Sequence, residues 1–281
     1  MDKGTRLIKL VISNQKGGVA KTTTALTLAR FMADAGKRVL IIDTDPQGNL
    51  AMTVGVKFKH NLHDLIIEGV TIEDTAVRVY TTENGSGVLD MVCSDRRTVE
   101  TEATLMGRFG REFTLRNLLN SFDLSYDAVL FDVAPSITLL QTCAMIYAQR
   151  LLLPVAMDLL SLQGANASLE TAKMLNGIFD TDIQGVAFIP VMVQKQLQMT
   201  KLVSANLTRL SEASQVPVLP GARMDVNVNK CVRTRQFLAD FPAASRIFED
   251  YQTAFTELMA RLEGAPVAER GNQATEAASV S

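Results

Sequence analysis

Cysteine is scarce in this 281-residue chain. Cys93, Cys143 and Cys231 lie far apart, and no pair has the spacing of a metal knuckle or a redox dithiol. That pattern fits a reduced cytoplasmic setting. Histidine is scarcer still. His60 and His63 lie close together, but no third ligand is within reach by sequence, so both read as surface residues rather than metal ligands. No apolar run is long enough to span a bilayer, and Met1–Arg6 leads into a strand-length apolar run without the features of a signal peptide. An excess of one charge is missing too. The 28 basic and 30 acidic residues leave a formal net charge of −2. Global charge therefore does not mark a nucleic-acid binder, and any such surface must be local. No internal repeat is apparent.

What is present is a chain 47% hydrophobic, enough for one substantial core and one large α/β domain. Its organising stretch is Ser13–Thr23, Ser-Asn-Gln-Lys-Gly-Gly-Val-Ala-Lys-Thr-Thr, between the apolar run Leu7–Ile12 and a predicted helix, Thr22–Ala35, ending at Gly36. A glycine pair between strand and helix is where a phosphate-binding loop belongs, because successive backbone N–H groups and a helix N-terminus both favour an anion. Gly17 and Gly18 let backbone wrap phosphate without Cβ clashes. Lys21 would reach the β- and γ-phosphates, and the Thr22 hydroxyl would hold Mg²⁺. The alternative is a glycine-containing turn with chance lysines.

Further along, Arg38–Asp43 reads as a buried parallel strand, and Asp43-Thr44-Asp45-Pro46-Gln47-Gly48-Asn49 turns off its end. Strand alternation puts Asp43 and Asp45 on one side at the carboxyl edge of the sheet, placed to orient Mg²⁺ waters and the attacking water. Ala128–Asp132 is four apolar residues ending in an acid, the form of a Walker B strand, so Asp132 would hold Mg²⁺ through water opposite Thr22. Solvated acids in an Asp-Pro turn and a structural strand-end Asp are the plainer readings of these two segments.

Strand and helix alternate through the rest. Helices are predicted at Asn61–Ile67, Val99–Met106, Phe113–Ser121, Leu139–Ala148, Ser161–Gly177 (closed by Gly177) and Met199–Ala213. Strands are predicted at Gly87–Val92, Arg150–Val155, Gly185–Val193 and Val216–Leu219. Ile247, Phe248, Tyr251, Phe255, Leu258, Met259 and Leu262 recur at helical steps on a closing helix. The alternation argues for a parallel sheet with helices on both faces.

The glycine stretch is not the usual G-x-x-x-x-G-K-[ST]; Gln15 and Ala20 stand at its glycine positions. Lys-Gly-Gly-x-x-Lys-Thr, with the early Lys16, resembles the deviant Walker ATPases of the ParA/MinD family. Asp43–Asn49 looks like that family's second motif, and Asp132 to Ser136 resembles its D-x-x-P-S. The resemblance spans about Leu7 to Leu262 and is nearest to ParA proteins of the Soj kind, without an N-terminal DNA-binding extension. Only six residues precede the first strand, too few for a helix-turn-helix. The resemblance implies a P-loop NTPase fold in a single domain, residues 1–263, followed by a disordered tail, 264–281.

It also implies ATP on Lys16, Gly17, Gly18, Val19, Ala20, Lys21, Thr22 and Thr23, Mg²⁺ near Thr22, Asp43 and Asp132, and catalysis by Lys16, Lys21 and Asp45. Lys16 would enter the partner's site in an ATP-bound homodimer, and Asp45 would position or polarise the attacking water. Asp43 would be outer-shell to Mg²⁺. Ala20 departs from the family's glycine and is expected in ordinary helical or extended backbone. Gln194 and Pro220 are candidates for the adenine side, although Pro-Gly stands where the family has Pro-Arg.

Residues 194–246 hold eight basic residues (Lys195, Lys201, Arg209, Arg223, Lys230, Arg233, Arg235, Arg246) against Glu212, Asp225 and Asp240. Phosphate-backbone binding needs such concentration. The family binds DNA non-specifically from this part of the chain, so Arg223, Lys230, Arg233 and Arg235 are the DNA candidates; a solvated, salt-bridged face is the alternative. The implied protein is a cytoplasmic, nucleoid-associated segregation ATPase stimulated by a ParB-like partner, with no membrane attachment. Rivals are a relative positioning another cargo, a membrane-dependent MinD-type protein, and a metal-cluster reductase or small-molecule ligase on the same core.

Overall fold

The structure is a computed structural model that describes residues 7–122 and 124–264. Seven strands form one sheet in the order β3-β4-β2-β5-β1-β6-β7. They are β1 (Ile8–Ile12), β2 (Arg38–Asp43), β3 (Val77–Thr81), β4 (Val88–Val92), β5 (Ala128–Asp132), β6 (Arg150–Ala156) and β7 (Gln184–Val191). All neighbours pair in parallel except the edge strand β3, which runs antiparallel to β4 with a bulge between Arg78 and Tyr80.

The helices are α1 (Lys21–Asp34), α2 (Asn49–Val54), α3 (Ile72–Thr75), α4 (Arg97–Met106), α5 (Thr114–Ser121), α6 (Leu139–Ala148), α7 (Leu159–Phe179), α8 (Gln198–Ser214), α9 (Asn227–Thr234) and α10 (Ser245–Leu262). Period-two alternation sends successive strand residues to opposite faces. Leu10, Ile12, Val39, Ile41 and Leu130 pack with Ala25, Leu28, Ala29 and Met32 of α1 and with Ile247, Tyr251, Phe255 and Leu258 of α10. Val11, Leu40, Ile42, Val129 and Phe131 pack with α5, α6 and α7 through Leu115, Leu119, Leu140, Ala144, Ala165 and Leu169. This is the expected mostly parallel sheet with helices on both faces, the P-loop NTPase-like fold in a single domain.

Register places the chemistry. Ile12 pairs with Asp132 across β1 and β5, and Asp43 pairs with Asp132 across β2 and β5. Three strand ends therefore stop abreast, so the loop after Ile12, the acid ending β2 and the acid ending β5 share one edge, the carboxyl edge where ligand sites of open α/β sheets form.

Several boundaries differ from expectation. α7 runs from Leu159 to Phe179, two residues past Gly177. Asp158 caps it, with Oδ1 accepting from Ser161 N at 2.8 Å, and it stops at Asp180, a left-handed C-cap with φ 50°. Val216–Leu219 is not a full strand. It makes a single parallel bridge, Val218 to Phe188, because Pro217 within it and Pro220 after it have no N–H to donate. The short helix expected at Asn61–Ile67 is present, but after Leu62 and His63 it continues as a π-helical turn, Asp64–Glu68. β3, α2 and α9 had no signal strong enough to predict. From residue 265 on, the tail expected to be disordered lies outside the described residues.

His63 is not a surface residue. It is buried, with Nδ1 2.9 Å from Thr101 Oγ1. Among the described residues no group of three His, Cys, Asp or Glu side chains could hold a metal ion.

Candidate active site

The loop between β1 and α1 is held from behind by buried polar side chains. Asn14 donates through Nδ2 to Pro154 O at 2.7 Å and Ser161 O at 2.9 Å, and its Oδ1 accepts from Lys16 N at 2.9 Å. Gly164 of α7 lets the loop come this close: a Cβ there would lie 2.2 Å from Asn14 Oδ1. At the front of the loop, by contrast, a Cβ on Gly17 or Gly18 would meet nothing within 4 Å, so their backbone faces open space.

Gly18 (φ 72°) and Ala20 (φ 56°) are both left-handed, Ala20 immediately before α1. The expectation that Ala20 sits in ordinary helical or extended backbone is therefore wrong. The turn needs positive φ here whatever the side chain, and the Ala20 methyl costs about 1–2 kcal/mol in that region. Ala20→Gly is expected to stabilise the nucleotide-free protein by about 0.5–1 kcal/mol, since the relieved strain outweighs the looser unfolded chain. Chemical denaturation checks this, and an unchanged midpoint would contradict it.

The two lysines of the loop have different fates. Lys21 is 8% exposed, and its ammonium donates to Asn14 O and Lys16 O, both at 3.0 Å. Burial pushes its pKa down, against the pull of Asp132 and Asp45. Lys16 lies at the rim and pairs with Asp158 Oδ2 at 3.0 Å, with 32% of the Lys16 side chain and 40% of the Asp158 side chain exposed. Asp158 was not expected at the site, because an Asp three residues before Ser161 signals at most a helix cap and carries no sign of Lys16.

The acids meet behind Thr22. Thr22 Oγ1 donates to Asp132 Oδ2 at 2.7 Å, while Asp132 Oδ1 is buried with no partner. Asp43 is fully buried, and its two oxygens accept from Asp45 N (3.0 Å) and Leu50 N (3.2 Å), so it shapes the turn after β2. Burial, and then the Asp132 charge, push its pKa well up. Asp45 is half-buried and lines the cleft, its Oδ1 accepting from Gln47 N at 2.9 Å.

Burial also raises Asp132 to about 7, although the Thr22 hydrogen bond and Lys21 pull it down. A carboxyl raised in the folded state favours the folded state while protonated. Its contribution is complete below the unfolded value near 4 and is lost as pH rises through about 7. Metal- and nucleotide-free protein is therefore expected to lose stability between pH 4 and 7 more steeply than Asp132→Asn, as thermal melts across that range would show. Matching slopes would remove Asp132 as the titrating group.

Gly17 to Thr23, Asp45 to Gln47, Asn49, Val133 to Ser136 and Thr138 line a cleft of about 570 Å³. Gln194 and Pro220 are not among its lining residues, and Gln194 Nε2 lies 2.9 Å from Met224 Sδ. The DNA candidates differ in their surroundings. Arg223 is held in a two-pronged pair with Asp250 (2.6 and 2.7 Å). Lys230 and Arg233 are exposed, three residues apart on α9. Arg235 caps that helix with φ 56° and lines a different cavity.

The residues present fit a triphosphate with Mg²⁺. The front of the loop is open backbone, a cation is buried at its base, and the partnerless Asp132 oxygen sits beside a hydroxyl. Fold and site together define a P-loop nucleoside-triphosphatase type of protein. A family model described as an AAA domain matches residues 7–185. The chromosome partitioning protein ParA of Caulobacter vibrioides (strain NA1000 / CB15N) is 34% identical over 184 residues, covering 63% of this chain and 67% of that protein. Among solved structures, an ATP complex of Cyanothece McdA superposes with a TM-score of 0.79 at 20% identity, covering 95% of this chain and 100% of that one. Cobyrinic acid a,c-diamide synthase from Mycobacterium smegmatis with bound ADP and magnesium gives 0.72 at 24%, covering 90% and 94%. At these identities the structures show the fold. The chain belongs to the ParA/MinD-type ATPases.

Proposed function

We propose that the protein is a Mg²⁺-dependent ATP hydrolase of the ParA type that partitions DNA and works as a switch. One observation carries the reading: a single loop bears one lysine buried at the base of the cleft, Lys21, and another at its rim, Lys16, whose ammonium has only a half-exposed acid to leave. A lysine that served its own nucleotide would point inward; the rim position supports service to a second copy.

Bound Mg²⁺ would neutralise charge developing on the transferred phosphoryl group, held by Thr22 directly and by Asp132 through water. Gly17 to Thr23 would wrap the phosphates, Lys21 would hold the β–γ end, and Asp45 would orient the attacking water. Asp43 shapes the loop carrying Asp45. Two copies closing face to face would carry Lys16 from Asp158 into the partner's site, and the dimer would present twice the basic surface to DNA, so phosphate contacts accumulate. Lys230 and Arg233 on α9 support that surface; Arg223, matched by Asp250, supports it less. Differential affinity of monomer and dimer for DNA couples nucleotide to binding, and a ParB-like partner would stimulate hydrolysis. The chromosome partitioning activity named for the Caulobacter relative supports the DNA reading. A cytoplasmic, nucleoid-associated protein fits, and among the described residues no helix is long and apolar enough to cross a membrane.

The testing experiment is retention on immobilised DNA with ATP, ADP or no nucleotide at two salt concentrations. ATP-dependent, salt-sensitive retention is expected; equal retention in all three states overturns the switch. Another cargo would be separated by genomic neighbours, and MinD-like membrane binding by liposome pelleting. The cluster-reductase reading is disfavoured because Cys93, Cys143 and Cys231 are all buried.

A further inference from the structure

A second cavity, of about 610 Å³, lies on the other side of the turn after β2. Pro46 and Gln47 line both it and the nucleotide cleft, so the segment carrying Asp45 is their shared wall. Three cations, Lys57, Arg96 and Arg235, line it against one acid, Asp95. All three are exposed, and none is in an ion pair among the described residues. Asp95 is engaged elsewhere, its Oδ1 accepting from Arg97 N at 2.9 Å.

Arg235 reaches the cavity from far along the chain. Its alkyl stem lies so close over Gly55 that a Cβ on residue 55 would come 2.5 Å from its Cδ. Val56 and Phe58 supply an apolar flank. Unpaired guanidinium and ammonium groups around a concavity recognise phosphoryl oxygens, and an apolar flank suits a base or sugar. Ser94 ties this wall to the catalytic one. Its hydroxyl donates to Asp45 O, and its carbonyl fills the space a Cβ on Gly48 would need, at 2.8 Å. The 45–48 turn is therefore clamped to the segment that carries Asp95 and Arg96.

We propose that this cavity binds a nucleotide phosphoryl group, from a DNA strand or from a free nucleotide, and that its occupation alters hydrolysis through the Asp45 turn. The proposal rests on Asp45 as the water-orienting residue. The test compares wild type with Lys57→Ala/Arg96→Ala, neither residue belonging to the nucleotide cleft, and with Arg235→Ala as a second variant. Each is measured with short duplex DNA and, separately, with 5′-dAMP, while an ATP analogue fills the cleft. Turnover with ATP is then followed in the presence of each probe.

The expected result is roughly tenfold weaker binding of one probe to the double variant, with that probe's effect on turnover abolished and the KM for ATP unchanged. If the probe is DNA, the salt slope of binding should fall by about two, one for each phosphate-binding cation removed. The probe affected names the source. Both probes binding all proteins alike, or a wild-type turnover that responds to neither, overturns the proposal. ATP-dependent DNA retention shared equally by wild type and variants, with 5′-dAMP also binding them alike, would remove the cavity while leaving the partition reading intact. A wild type without ATP turnover would remove that reading itself.

Discussion

Lys21→Ala is expected to fold and to lose measurable ATP binding, a loss of at least ~100-fold. Removing one partner of a buried charged contact costs about 2–5 kcal/mol, of which 2.7 suffices for that factor. Lys21 is suited to this weight. Its ammonium is already desolvated, its pKa lowered by burial, and two loop carbonyls hold it at the base of the cleft. A phosphate arriving there meets a cation whose dehydration and side-chain ordering are already complete. The same removal relieves a buried charge in the free protein, so the nucleotide-free melting temperature should move by only a few degrees. Calorimetric titration with a melt as control separates the two effects; micromolar ATP binding by a folded variant would refute the loop's assignment.

Asp45→Ala is expected to bind ATP near normally and to turn it over ~10²–10⁴-fold more slowly, the range of a lost positioned base or water-orienting group. The ATP-bound form should then accumulate as a dimer, visible by light scattering. Asp45 also accepts from Gln47 N, so the alanine variant loosens the turn as well as removing a carboxylate. Asp45→Asn keeps that acceptor and isolates the charge. Slow turnover in both assigns the chemistry to the carboxylate, whereas a fast Asn variant would reduce Asp45 to a turn residue. Asp43 is the informative contrast, because its buried oxygens are both taken by backbone N–H groups. Its replacement should cost stability before it costs hydrolysis.

Much was legible in the order of residues because the signals are local. A strand, a glycine pair and a helix need only a few neighbours to declare themselves, so the phosphate loop, Asp43–Asn49 and Ala128–Asp132 stood out, as did the alternation that predicts a parallel sheet. Weak elements failed for equally local reasons. Prolines broke the ladder at Val216–Leu219, and Asn49–Val54 is too short to show a period. His63 gave no sign that it would be packed under Thr101, since burial is decided by what folds over a residue. Ala20 shows the limit of residue preference, because the turn imposed a left-handed backbone on an alanine.

The chain by itself therefore determined the class of fold and the kinds of group at the site, since both are written in contiguous patterns of polarity and backbone freedom. Only the tertiary structure decided their arrangement. Strand register aligned Asp43 with Asp132, and helix packing through Gly164 drew the loop back onto Asn14. Lys16 met Asp158 across 142 residues of chain, and Arg235 was laid over Gly55. Each of these joins segments remote in sequence, and their distances follow from how the core packs, which no short stretch of residues encodes.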